Sequence, residues 1–121
     1  DYEAEEIYSA AVPLNPSGVR VIALMSQRQD IESVRAVAQK ISCKPKVAAF
    51  LGCVNGESAN LVFARSNDIP LDMSELLKQA LPAIDGKGGG SPAYAQGGGK
   101  NPDGIPEALA LVAGLAKDAL G

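Results

Sequence analysis

The sequence predicts a mixed α/β domain: a small mixed β-sheet packed with helices, with a glycine-rich loop before the C-terminal helix. Three observations carry this. Short apolar runs at 19–25, 46–54 and 59–65, the first rich in β-branched residues, alternate with segments whose apolar residues recur at helical spacing. Aspartates stand where two of those helical segments would begin, as N-caps do. The length of 121 residues fits one domain with a real core and excludes two.

Taken in order, residues 1–12 are rich in helix formers, with Tyr2, Ile7 and Tyr8 sharing a narrow face. They read as the tail of an entering helix, leaving 13–121 as the domain itself. A chain that starts at Asp1 without Met is expected to be a piece of a longer protein. Pro13, Asn15, Pro16 and Gly18 break the helix, and 19–25 follows as a strand. Asp30 caps a helix through Ile31, Val34, Val37, Ala38 and Ile41. A second buried strand, 46–54, meets Asn55-Gly56, a two-residue turn expected to hold two positive-φ positions, and 59–65 returns as the third strand. Asp72 caps a helix through Met73, Leu76, Leu77 and Leu81 that should end near Pro82 or Gly86. Pro106 belongs to the first turn of a closing helix with Leu109, Val112 and Leu115 on its buried face. The first two strands should be parallel through a right-handed crossover and the next pair antiparallel.

Composition excludes whole classes of function. Hydrophobic residues at 46% and charged residues at 21% describe a globular chain, and no apolar run approaches the ~18 residues of a membrane span. No basic start and apolar stretch marks a signal peptide, so the expected address is cytoplasmic. There is no histidine, which removes the usual general base near neutral pH and the commonest metal ligand. Cys43 and Cys53 lack both metal-site spacing and disulfide density, and are expected to be reduced, buried thiols.

Of the 13 glycines, seven crowd into one block at 86–100, where Lys87 and Lys100 bracket two glycine triplets around Pro92, Ala93, Tyr94, Ala95 and Gln96. Bare backbone of this kind can aim N–H groups at an anion or let a polynucleotide approach closely. Tight structural turns are the plainer alternative, and the residues leave both open. The block is not a nucleotide pocket of a known kind: the Walker spacing fails at Asn101 and Tyr94, and the dinucleotide pattern fails at Ser91. Tyr94 could stack on a base or pack beneath the loop, and Gln96 could meet RNA or cap the loop. A net charge of −3 is awkward for an RNA binder, but Asp1, Glu3, Glu5 and Glu6 hold four of the negatives in the entering helix. Lys44 and Lys46 form the one close basic pair, while Arg20, Arg28, Arg35 and Lys40 are scattered.

The run Lys-Gly-Gly-Gly-Ser-Pro-Ala-Tyr-Ala-Gln-Gly-Gly-Gly at 87–99 resembles the signature of the DHH-associated domain found in alanyl-tRNA synthetases and long alanyl-tRNA editing proteins. The strand opening at 18–21, the strand at 61–66, the helix at 72–77 and the closing helix at 106–109 are similar to that family in the same order. The resemblance implies a non-catalytic domain that helps to hold alanine tRNA, joined to upstream domains of a parent chain and able to contribute to a homodimer. Zinc, and ATP in a synthetase, would serve upstream domains, with no cofactor and no catalytic residue here. The implied nucleic-acid contacts are Lys87, Gly88, Gly89, Gly90, Ser91, Gln96, Gly97, Gly98, Gly99 and Lys100. Phosphodiesterases with the same domain carry a His after the glycine triplet, and Ser91 stands there instead. Synthetases often have Arg at that place, so Ser91 and the Phe63-Ala-Arg-Ser66 stretch resemble the editing branch more closely.

Overall fold

Two apolar clusters flank one five-stranded sheet in the computed structural model, which describes residues 2–10, 18–26 and 30–120. In chain order the elements are α1 (Tyr2–Ala10), β1 (Arg20–Met25), α2 (Ile31–Ser42), β2 (Val47–Asn55), β3 (Ser58–Arg65), α3 (Met73–Ile84), β4 (Gly86–Gly90), β5 (Tyr94–Gly99) and α4 (Ile105–Leu120). A 3-10 turn, Pro102–Gly104, leads into α4. The sheet runs β1-β2-β3-β5-β4, parallel between β1 and β2 and antiparallel elsewhere. A parallel pair needs a crossover, which α2 supplies.

Because helices cover both faces, β2 is buried from Val47 to Cys53 and reads as a continuous apolar run rather than an alternating one. One face holds Phe50, Leu61, Phe63 and Ala95 against Leu77 and Ile84 of α3 and Ile105 and Val112 of α4. Phe50 and Phe63 meet edge to face across the β2–β3 pair, centroids 4.9 Å apart. The other face holds Val47, Leu51, Val62 and Ala64 against Val34, Val37 and Ile41 of α2. Helix α1 is tied on by Tyr8, whose hydroxyl donates to the Pro45 carbonyl at 2.9 Å and whose ring lies under the Arg20 guanidinium.

Both aspartate caps form. Asp30 accepts from the Glu32 amide, and Asp72 accepts from the amides of Ser74 and Glu75 at 3.0 and 3.3 Å. Helix α3 runs through Pro82, since buried Leu81 and Ile84 hold its last turn on the sheet. It ends at Asp85, whose φ of 52° is a left-handed cap.

Three expectations change. The glycine-rich block is a β-hairpin, not a loop: β5 occupies the open edge of β3, so that its backbone groups gain ladder partners, and β4 pairs outside it. Asn55 stays in β2 opposite Ser58, so the hairpin loop is Gly56-Glu57, and Gly56 alone takes positive φ, at 64°. Cys43 is exposed, because it closes the C-terminus of α2 instead of facing the core; Cys53 is buried, and both are free thiols. The predicted break at Pro13, Asn15 and Pro16, the position of Arg28, and the side chain of Tyr2 lie outside the described residues.

Candidate nucleic-acid interface

The hairpin register assigns each glycine a direction. Ser91 and Tyr94 exchange both backbone hydrogen bonds, at 2.8 and 3.3 Å, and the Lys100 amide donates to the Asp85 carbonyl at the other end. Bonded and non-bonded rungs alternate in an antiparallel ladder, so Gly86, Gly88 and Gly90 turn their N–H and C=O groups away from β5, toward the free edge of the sheet. Lys87 and Gly89 share a face with their partners Gly98 and Gln96. Tyr94 lies on that same face, packed against the α2-side cluster.

On this face α2 covers β2 and β3 but leaves the hairpin open. Lys87 and Gly89 are exposed, and Tyr94, Gln96 and Gly98 are half-buried. On the opposite face α3 packs beneath β4 and β5, so Gly97 faces Leu81: a Cβ there would stand 2.9 Å from the leucine Cδ2. Gly99 lies against the end of α3 at Ile84. Of the ten sequence-predicted contacts, then, Lys87, Gly89, Gln96 and Gly98 form one open surface, and Gly88 and Gly90 form the adjoining edge. Lys100 adjoins the Lys87 end, Ser91 sits in the turn at the other end, and Gly97 and Gly99 face the helix.

Steric demand explains most of these glycines without a ligand. A Cβ at Gly88 would run into the backbone of Gln96 and Gly97, and one at Gly90 would stand 2.5 Å from the Ala95 Cα. Gly89 differs: nothing lies within 4 Å of a Cβ there, and its φ is not positive. The fold does not require glycine at that position. It leaves a side-chain-free patch between Lys87 and Gln96.

The electrostatics favour an anion at one end. Among the described residues, neither Lys87 nor Lys100 makes an ion pair, whereas Lys44 is committed to Glu5. Tyr94 donates its hydroxyl to the Gln96 Oε1 at 3.0 Å, which fixes the amide and leaves its NH2 as the available donor. Sequence reasoning missed Asn60, whose Oδ1 would lie 3.1 Å from a Cβ at Gly98. It comes from β3, and no linear motif could have tied it to the glycine block. Among the described residues no group of three or more His, Cys, Asp or Glu is placed to hold a metal ion, and no helix is long and apolar enough to cross a membrane.

A family model described as the DHHA1 domain matches residues 18–118. The chain is 35% identical over 106 residues to the alanine–tRNA ligase of Leptospira biflexa, covering 84% of this chain and 11% of that protein. It is 33% identical over 121 residues to the ligase of Methylobacillus flagellatus, covering 98% of this chain and 14% of that one. The chain thus spans only a small part of the length of these relatives. Among solved structures, the C-Ala domain from Aquifex aeolicus alanyl-tRNA synthetase matches with a TM-score of 0.71 and 28% identity, over 84% of this chain and 91% of that one. A DHH-domain structure described as a member of the s1p family of ribosomal proteins matches with a TM-score of 0.56 at 17% identity, over 98% of this chain and 30% of that one, and shares the fold alone. With the glycine hairpin and the five-stranded sheet in place across nearly the whole matched region, the chain belongs to the DHHA1 domain family.

Proposed function

We propose that this domain is a tRNA-holding accessory module of a larger alanine–tRNA ligase or alanyl-tRNA editing protein, supplying binding surface and no catalytic group. The observation that carries the reading is the open face of the β4–β5 hairpin. There Lys87 and the bare Gly89 and Gly98 adjoin an edge whose peptide groups alternate donor and acceptor. Donors suit phosphate oxygens, and a donor beside an acceptor suits a ribose 2′-hydroxyl, which is both. The relatives described above are alanine–tRNA ligases, which makes alanine tRNA the RNA to test first and a ligase the favoured parent. Zinc and ATP would then act in other parts of the parent chain.

Two unpaired lysines neutralise few phosphates, so binding by the isolated domain is weak, and its value lies in raising the effective concentration of tRNA at its neighbours. Gel-shift titration of alanine tRNA at low salt, against the chain and its Lys87→Glu/Lys100→Glu variant, tests this. Binding by the chain that is lost in the variant supports it. Equal binding by both, or preference for a short oligonucleotide or cyclic dinucleotide over tRNA, overturns it.

A further inference from the structure

At the end of the sheet where the α2–β2 turn, the β3–α3 loop and the β4–β5 turn meet, a cleft of about 680 Å3 opens. That is within the size range of small-molecule sites. It shares Tyr94 with the open face of the hairpin. From Gly98 to Tyr94 along β5 is four residues, or roughly 13 Å, so one bound strand can lie on both.

The charged side chains of the cleft are each held by a partner within the chain, Arg65 by neutral carbonyls alone. The Lys44 ammonium pairs with the Glu5 carboxylate. Arg65 donates through Nε to the Leu71 carbonyl and through Nη1 to the Ser66 carbonyl. The Asp68 carboxylate accepts from the Ser66 hydroxyl and from the Lys46 amide at 3.1 Å. A phosphate would therefore meet a carboxylate and two committed cations. What remains in the lining is neutral: the Asn67 amide, the acceptor side of the Ser42 hydroxyl, whose proton goes to the Gln39 carbonyl at 2.7 Å, and the Tyr94 side chain, whose hydroxyl is fixed on Gln96. An amide and a hydroxyl beside an aromatic wall match the hydrogen-bonding edge and flat face of a nucleobase.

We infer that this cleft receives a single unstacked base of the RNA held on the hairpin face. The inference rests on the tRNA reading above and adds to it a base pocket beside a backbone-contact surface. Its test is amide NMR of the chain titrated with the four ribonucleoside 5′-monophosphates at millimolar concentration, together with alanine-tRNA affinity of the Asn67→Ala variant. Shifts centred on Cys43, Asn67 and Tyr94, with tRNA affinity reduced about two- to tenfold at unchanged thermal stability, are expected; that loss is the range of one hydrogen bond. If alanine tRNA binds both proteins equally and the monophosphates leave those amides unmoved, the base pocket is overturned and the tRNA reading stands. Monophosphate shifts centred on Lys87 and Lys100 instead would overturn it in favour of phosphate-led contact. Absence of tRNA binding to the unmodified chain overturns both.

Discussion

Lys87 stands opposite Gly98, one rung from the Gly86–Gly99 pair after which Lys100 leaves the sheet. The hairpin thereby brings to one end two lysines that the sequence separates by the whole glycine block. Glycine at position 98 leaves the surface beside Lys87 without a competing side chain, and Gly89 extends that bare patch along the same face. Most of the other glycines serve a different purpose, the close approach of β4, β5 and α3.

That division predicts opposite outcomes for adjacent residues. Gly88→Ala must push apart the β4 and β5 backbones and should cost about 1–3 kcal/mol. Gly89→Ala meets open space in an extended strand and should be neutral or stabilising by up to about 1 kcal/mol. Urea unfolding midpoints of the two variants check this; equal losses would contradict the assigned directions of the hairpin.

Lys46 holds a φ of 50° between α2 and β2, a conformation that disfavours a residue with a Cβ. The contacts that hold it there are made by its backbone: its amide donates to Asp68, and its carbonyl accepts from the Arg20 amide at 2.8 Å. Glycine preserves both. Lys46→Gly should raise stability by about 0.5 kcal/mol, the relief of strain less the added freedom of the unfolded chain. A lower thermal midpoint than the parent chain would count against this.

The two thiols should react in sequence. Cys43 is exposed at the end of α2, whereas Cys53 is buried and its thiol is pushed up by burial, a hydrogen bond with Asn60 opposing the shift in part. Alkylation near neutral pH should modify Cys43 in the folded chain and Cys53 only after denaturation. Mass spectrometry of tryptic fragments distinguishes them, and early labelling of Cys53 would show that the sheet opens more readily than its packing implies.

Three exposed carboxylates add to stability near neutral pH in a way that acid removes. The Ser66 hydroxyl lowers Asp68, the Ser74 hydroxyl lowers Asp72, and the Lys44 ammonium lowers Glu5, each below its ordinary range. For a group whose folded value is depressed, the stabilisation is complete above the unfolded value and is lost as pH falls through the folded one. Stability should therefore hold from neutrality to about pH 4 and decline below it, with the acid slope shallower in Asp68→Asn. A flat thermal midpoint between pH 4 and pH 2 would contradict the assignment.

Much of this was legible in the sequence, for reasons that can be named. Asp30 and Asp72 announce their helices because a short carboxylate satisfies the first amides of a helix wherever it stands. β2 and β3 announce themselves as short apolar runs on either side of Asn55-Gly56. The glycine hairpin was not legible as strands, because glycine carries no propensity for them; its order comes from pairing with β3, a contact distant in sequence. The family signature marked the candidate segment as a whole. It could not separate Gly89, which faces solvent, from Gly97, which faces Leu81, since that distinction depends on register. The cleft beside Asn67 was invisible for a similar reason, as its walls come from three separate connections.

The central claim is that the open hairpin face holds alanine tRNA. Gly89→Leu tests it most directly, because the side chain enters open space and leaves charge unchanged. Alanine-tRNA affinity at low salt, measured beside the thermal midpoint, should fall by roughly tenfold or more while the midpoint stays within a few degrees of the parent chain. Unchanged affinity in a folded Gly89→Leu variant would contradict the account and move the RNA to another surface.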